Sequence, residues 1–93
     1  MLDVLDELFE VILDRKANPQ SGSYTASLFD KGEDEVLKKV GEEAMEVILA
    51  GKGQSDERLV SESADLLYHL LVLLAYRDVT LDDVRAELAR RRR

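Results

Sequence analysis

The chain is predicted to be all-α, an antiparallel helical bundle. Two observations point there. Four stretches of the 93 residues repeat their apolar side chains with the period of a helix face. No run alternates with the two-residue period of a strand, and no internal repeat is evident. The third long stretch, Ser55 to Arg77, organises the rest: its second half, LLYHLLVLLAY, is apolar on every side of a helix, which an isolated exposed helix cannot be.

Residues 2–16 place Leu2, Leu5, Leu8, Phe9 and Ile12 on one stripe and predict an amphipathic first helix. Asn18 to Ser23 holds the chain's single proline and reads as a loop. Tyr24 to Asp30 is ambiguous and is read as a short helical turn ending near Lys31-Gly32, with Gly32 suited to a C-terminal cap or tight bend. Glu33 to Ala50 follows as a long helix with Val36, Leu37, Val40, Ala44, Val47 and Ile48 as its core stripe. The acids at 33–35 favour its N-terminus through the helix dipole. Gly51 to Gln54 is expected to be a tight connection, Ser55 an N-cap, and the two long helices antiparallel neighbours. Thr80 with Asp83 forms a capping-box pattern for a last helix whose apolar face is Leu81, Val84 and Leu88.

At 45% hydrophobic and 35% charged residues, the chain is neither disordered nor an ordinary membrane protein. Its longest apolar run, Leu66 to Tyr76, is interrupted by His69 and falls well short of the ~20 residues that span a bilayer. The acidic, amphipathic N-terminus is unlike a signal sequence, so a cytoplasmic location is the default expectation. With no cysteine there are neither disulfides nor thiolate sites. A net charge of −7 argues against nucleic acid as the main partner, although carboxylates can recruit Mg²⁺ and thereby phosphates. Arg90 to Arg93 read as a solvated helix terminus. One small domain, 1–93, is too short to cover the all-apolar third helix, so a partner subunit is expected to complete the core.

Arg58, Glu62, Asp65 and His69 are spaced four, three and four apart, one polar row on that apolar helix. Glu43 and Glu46 form a second pair, three apart, on the preceding helix. Two such helices packed ~8–10 Å apart aim four carboxylates into one space. Four meeting carboxylates repel unless a hard divalent cation, Mg²⁺ or Mn²⁺, joins them. As a string, E-x-x-E…E-x-x-D is weak evidence, because with 20 acidic residues in the chain it arises by chance. The competing reading pairs Lys39 with Glu43 and Arg58 with Glu62 as ordinary helix-surface ion pairs, and makes His69 a hydrogen-bonded core histidine.

Two longer segments are more specific. SYTASLFDKGEDEVLKKVGEEAMEVILA followed by SESADLLYHLLVLLAYR resembles the phosphoribosyl-ATP pyrophosphohydrolase family, within the all-α MazG-like nucleotide pyrophosphohydrolases. The resemblance runs from about Leu5 to Leu88 and includes the Asn18-Pro19 loop and the closing LDDV-x-x-EL-x-x-R. It implies a stand-alone enzyme of histidine biosynthesis that hydrolyses phosphoribosyl-ATP to phosphoribosyl-AMP and pyrophosphate. It further implies that Glu43, Glu46, Glu62 and Asp65 hold Mg²⁺, with Mn²⁺ an alternative, and that the enzyme is a homodimer. Glu42 is then a base or supporting acid, although it points away from Glu43 on the helix. Lys31, Lys38, Lys39 and Arg58 are candidates for the substrate phosphates, with Lys39 and Arg58 facing the carboxylate rows. The alternatives are a house-cleaning pyrophosphohydrolase of non-canonical nucleoside triphosphates and a non-catalytic helical dimerisation module.

Overall fold

The computed structural model describes residues 2–92; the last arginine of the tail, Arg93, lies outside the described residues. Among the described residues five helices follow one another: α1 (Val4–Ala17), α2 (Tyr24–Lys31), α3 (Glu33–Gly53), α4 (Asp56–Tyr76) and α5 (Leu81–Arg91). Helices α3 and α4 form the antiparallel hairpin that dominates the packing, and α1 and α2 lie against it. Among the described residues there is no strand, as the periodicity predicts.

Local chemistry sets each boundary. The Asp3 carboxylate accepts from the Asp6 amide and Asp6 returns the bond, a capping box that starts α1. Ser23, Ser55 and Thr80 cap α2, α4 and α5 in the same way, each accepting from the amide three residues on. Gly32 ends α2 with φ 99°, a conformation only glycine adopts without strain. Asp78, φ 58°, plays the corresponding part after α4, where the Val79 amide donates to the Leu74 carbonyl at 2.9 Å. Lys16 of α1 reaches across to that same terminus, donating to the Ala75 carbonyl at 2.7 Å and to Asp78 at 2.8 Å.

Three expectations need correction. Leu2 precedes α1 and is exposed, because Asp3 begins the helix after it. Helix α3 does not stop at Ala50: Gly51, Lys52 and Gly53 stay helical, leaving Gln54 and Ser55 as the whole connection. Of the core stripe drawn on α3, Val36 is buried, but Leu37 and Ile48 are exposed, at 45% and 62%. Helix α3 packs on α4 and on α2, whereas α1 packs on α4 and α2, which leaves Leu37 and Ile48 on an uncovered side of α3.

The core is Phe9 and Ile12 from α1, Leu28 from α2, Val36 from α3, Leu71, Val72 and Ala75 from α4, and Leu81 from α5. Thus the C-terminal half of α4 is the centre of the molecule, as its composition predicts. Its length and a mean hydropathy of 1.3 would also suit a membrane span, but here its Leu71, Val72 and Ala75 are covered by protein. The apolar face drawn on α5 is only partly used: Leu81 is buried, whereas Val84 and Leu88 are exposed. Arg85 fastens α5 to α1, pairing with Asp3 at 3.1 Å, with Asp6, and with Asp82 at 3.2 Å. The bond from Arg85 holds the Asp6 carboxyl down at about 2.

Ile12 is fully enclosed, so Ile12→Ala should cost about 2–5 kcal/mol of unfolding free energy by denaturant titration, a large share of a small domain's stability. Asp6 predicts a pH dependence. Its folded pKa lies below the ordinary 3.8, so the Arg85 contact stabilises fully above that value and is lost as pH falls from 3.8 to about 2. In an acid series, hydrogen exchange at the amides of 81–91, taken relative to the intrinsic rate at each pH, should accelerate over that window in the native chain. In Arg85→Gln it should be fast already at pH 5.

Candidate active site

The hairpin of α3 and α4 places acids from both helices across a shared cleft of about 540 Å³, within the roughly 300–1,000 Å³ usual for small-molecule sites. Lys39, Glu42, Glu43, Met45, Glu46, Glu62 and Asp65 line it. Carboxylate oxygens of Glu43, Glu62 and Asp65 all lie within 4.8 Å of one another. Glu46 lines the cleft without joining that tight group. Glu42, drawn away from Glu43 on a helical wheel, nevertheless reaches the cleft wall because its side chain bends toward Lys39.

The row on α4 divides by depth. Glu62 and His69 are buried, both 6% exposed, while Asp65 and Arg58 are exposed. Asp65 therefore joins the group from the solvent side, while the row continues through the buried His69 into the core. Glu62 is the constrained member, since a buried carboxylate needs a cation or strong donors. Its partner in the chain is Arg58, whose Nη2 stands 2.7 Å from Glu62 Oε1. Lys39 stands 3.6 Å from Glu43 and 3.3 Å from Glu42. Partial burial would lower the Lys39 pKa, but the bond to Glu42 and the negative charges of Glu42 and Glu43 overcome it and raise the value. Both pairings anticipated as ordinary helix-surface contacts are thus formed. Lys38 is exposed and turned to Glu35 at 3.6 Å, and Lys31 is exposed at the end of α2; neither lines the cleft, nor does Arg58, which reaches it only through its bond to Glu62.

Chemically the group suits a hard cation. Its donors are all carboxylate oxygens, and five carboxylates line the cleft beside one lysine. Oxygens on one ion lie no further apart than twice the metal–oxygen distance, about 4.2 Å for Mg²⁺ and about 4.8 Å for a larger ion. A spread within 4.8 Å therefore needs at most a small side-chain closure around Mg²⁺.

Sequence reasoning missed the frame beside this group. His69 Nδ1 lies 2.7 Å from the Asp65 carbonyl, and His69 Nε2 lies 2.9 Å from the Tyr24 hydroxyl. A carbonyl only accepts, so Nδ1 carries the proton and Nε2 accepts from Tyr24. His69 is thus a satisfied core histidine, and its tautomer is set by its two partners. Next to it, Thr25 bonds the Tyr68 hydroxyl, and the Tyr24 and Tyr68 rings stack with centroids 6.4 Å apart. Burial raises the pKa of both phenols, keeping them protonated donors. Two residues at the start of α2 thereby clasp α4 one turn beyond Asp65. The only trace in the sequence is Tyr-Thr directly after the Ser23 cap; nothing in its spacing links it to His69, 45 residues away.

A family model described as phosphoribosyl-ATP pyrophosphohydrolase matches residues 5–92 of this chain. The chain is 61% identical over 92 residues to a protein of Haloarcula marismortui called phosphoribosyl-ATP pyrophosphatase, covering 97% of this chain and 94% of that one. A protein of the same name from Trichlorobacter lovleyi is 61% identical over 88 residues, 95% of this chain and 82% of the relative. A third, from Pelotomaculum thermopropionicum, is 57% identical over 90 residues, 97% and 92% of the two chains.

The His69 assignment predicts a ring nitrogen spectrum with the proton on Nδ1. Tyr24→Phe should shift the Nε2 resonance and cost about 1 kcal/mol, the worth of one partly buried hydrogen bond. An Nε2–H tautomer in the native chain would overturn the arrangement.

Proposed function

The chain belongs to the phosphoribosyl-ATP pyrophosphohydrolase family, and from that membership we propose that it hydrolyses phosphoribosyl-ATP to phosphoribosyl-AMP and pyrophosphate in histidine biosynthesis. The observation that carries this to particular residues is the convergence of Glu43, Glu62 and Asp65 on one side of a cleft with room for a phosphate chain. Glu43, Glu62 and Asp65 are the proposed ligands of Mg²⁺, or of Mn²⁺, with Glu46 completing the acidic wall. When bound, the ion supplies positive charge to phosphate oxygens and acidifies a water ligand.

The chain's own contribution is positioning. Glu62, buried on α4, and Glu43, on α3, are set opposite one another by the packing of the two helices. Lys39, at the cleft wall, and Arg58, beside Glu62, are the proposed phosphate contacts. Lys31 and Lys38, outside the cleft lining, are left for the ends of the substrate that extend beyond it. The hydrolysis places water at phosphorus and releases pyrophosphate, so the groups needed are those that neutralise phosphate charge and hold the chain in line.

The proposal includes a homodimer. Met45, Ile48 and Leu49 of α3 and Val60 and Leu67 of α4 are large apolar side chains between 47% and 69% exposed. So much exposed apolar surface beside a charged cleft is the pattern of an interface. Sedimentation at micromolar concentration should give twice the mass of a 93-residue chain.

Pyrophosphate release from phosphoribosyl-ATP should be rapid with Mg²⁺, stop on addition of EDTA, and exceed that from any common nucleoside triphosphate in parallel assays. Glu62→Gln should lower turnover by more than about 100-fold while leaving the metal-free chain within about 1 kcal/mol of its original stability or above it. Saturating Mg²⁺ should raise the melting temperature of the native chain and not that of Glu62→Gln, because only an intact site links metal binding to folding.

A further inference from the structure

Each of the two deepest cluster carboxylates is engaged by a cation of the chain's own: Glu62 by Arg58 at 2.7 Å and Glu43 by Lys39 at 3.6 Å. Lys39 lines the cleft, and Arg58 is bonded to the cleft residue Glu62 on a side chain long enough to swing toward a phosphate chain there. The two roles compete, since a guanidinium or ammonium held against a carboxylate has fewer donors left for phosphate and occupies the side a metal would approach. Arg58 is half exposed on a long flexible stem, whereas Glu62 is only 8% exposed in its side chain. The cation, not the acid, is the mobile partner. Lys39 is already shared between Glu42 and Glu43, so it can leave Glu43 and keep Glu42.

Resting on the metal-site reading above, we infer that Arg58 and Lys39 are exchangeable counter-charges. Without metal they neutralise Glu62 and Glu43. When those carboxylates turn to a divalent cation, both basic side chains are released toward the phosphate oxygens. The phosphate site is then completed only after the metal site is filled, and metal and pyrophosphate chain bind cooperatively. The arrangement keeps five crowded carboxylates compatible with folding before metal arrives, and it disfavours capture of metal-free phosphates, which would have to draw Arg58 and Lys39 away and leave Glu62 and Glu43 uncompensated.

The test uses effects of opposite sign. Mn²⁺ affinity is measured by the resonance signal of free ion for the native chain, Arg58→Gln, Lys39→Gln and the control Arg77→Gln, which removes an exposed positive charge at the C-terminus of α4, outside the cleft lining. Pyrophosphate affinity is then measured calorimetrically with Mn²⁺ in excess. Arg58→Gln and Lys39→Gln should each bind Mn²⁺ roughly two- to tenfold more tightly than Arg77→Gln, the range for losing one competing ion pair, yet bind pyrophosphate at least as many fold more weakly. A mere structural role would weaken both, and a pure phosphate contact would leave Mn²⁺ affinity at the control value; either result overturns the exchange. If only one variant shows both effects, the exchange is overturned for the other residue. If the folded native chain binds no Mn²⁺ more tightly than Glu62→Gln does, the metal-site reading itself falls, and the exchange with it.

Discussion

Like charges brought close are the constraint on which this structure depends. Glu43, Glu62 and Asp65 come from two helices whose packing brings their backbones together, so their oxygens meet within 4.8 Å of one another. Glu62 is the hardest to accommodate because it is buried, and removing a buried carboxylate's partner costs several kcal/mol. Arg58 and Lys39, each one helical turn before the acid it pairs with, bring positive charge to that crowding.

The hairpin alone does not hold its register at the acidic end. Helix α2, only eight residues long, lays Tyr24 and Thr25 on His69 and Tyr68 of α4 and so joins the cleft to the core. At the other end Lys16 and the Asp78 turn secure the terminus of α4. Between these clasps the buried run Leu71, Val72 and Ala75 supplies the packing that makes both geometries stiff. A buried polar frame whose donors and acceptors are all matched adds rigidity where hydrophobic contact would tolerate sliding. Among the described residues no buried side-chain polar atom lacks a partner.

One chain leaves much apolar surface open. The exposed residues on α3 and α4 belong to the same helices that present the acids, so the proposed second subunit would stiffen the cleft walls as it covers the apolar side. A small domain has too little interior to bury a helix apolar all round. The exposure of Ile48 and Leu37, which a helical wheel assigns to the core, is the direct sign of this.

Helix identities, most caps, the antiparallel hairpin and the acids were legible in the sequence, because each rests on local spacing: 3.6-residue periodicity, a Ser or Thr before a periodic run, carboxylates three apart. The resemblance carried by KVGEEA and ESADLLYHLLVLL supplied the family. What failed locally was instructive: Gly51 and Gly53 look like a loop, yet stay helical as α3 continues alongside α4. The site was legible as a list of residues but not as a geometry. Only the tertiary structure decided that Glu62 is buried and Asp65 is not, that Glu46 stands outside the tight group, and that Tyr24 protects His69 from 45 residues away. Periodicity places a side chain on a face of its own helix. Depth, and the partner met there, depend on what the rest of the chain lays over that face.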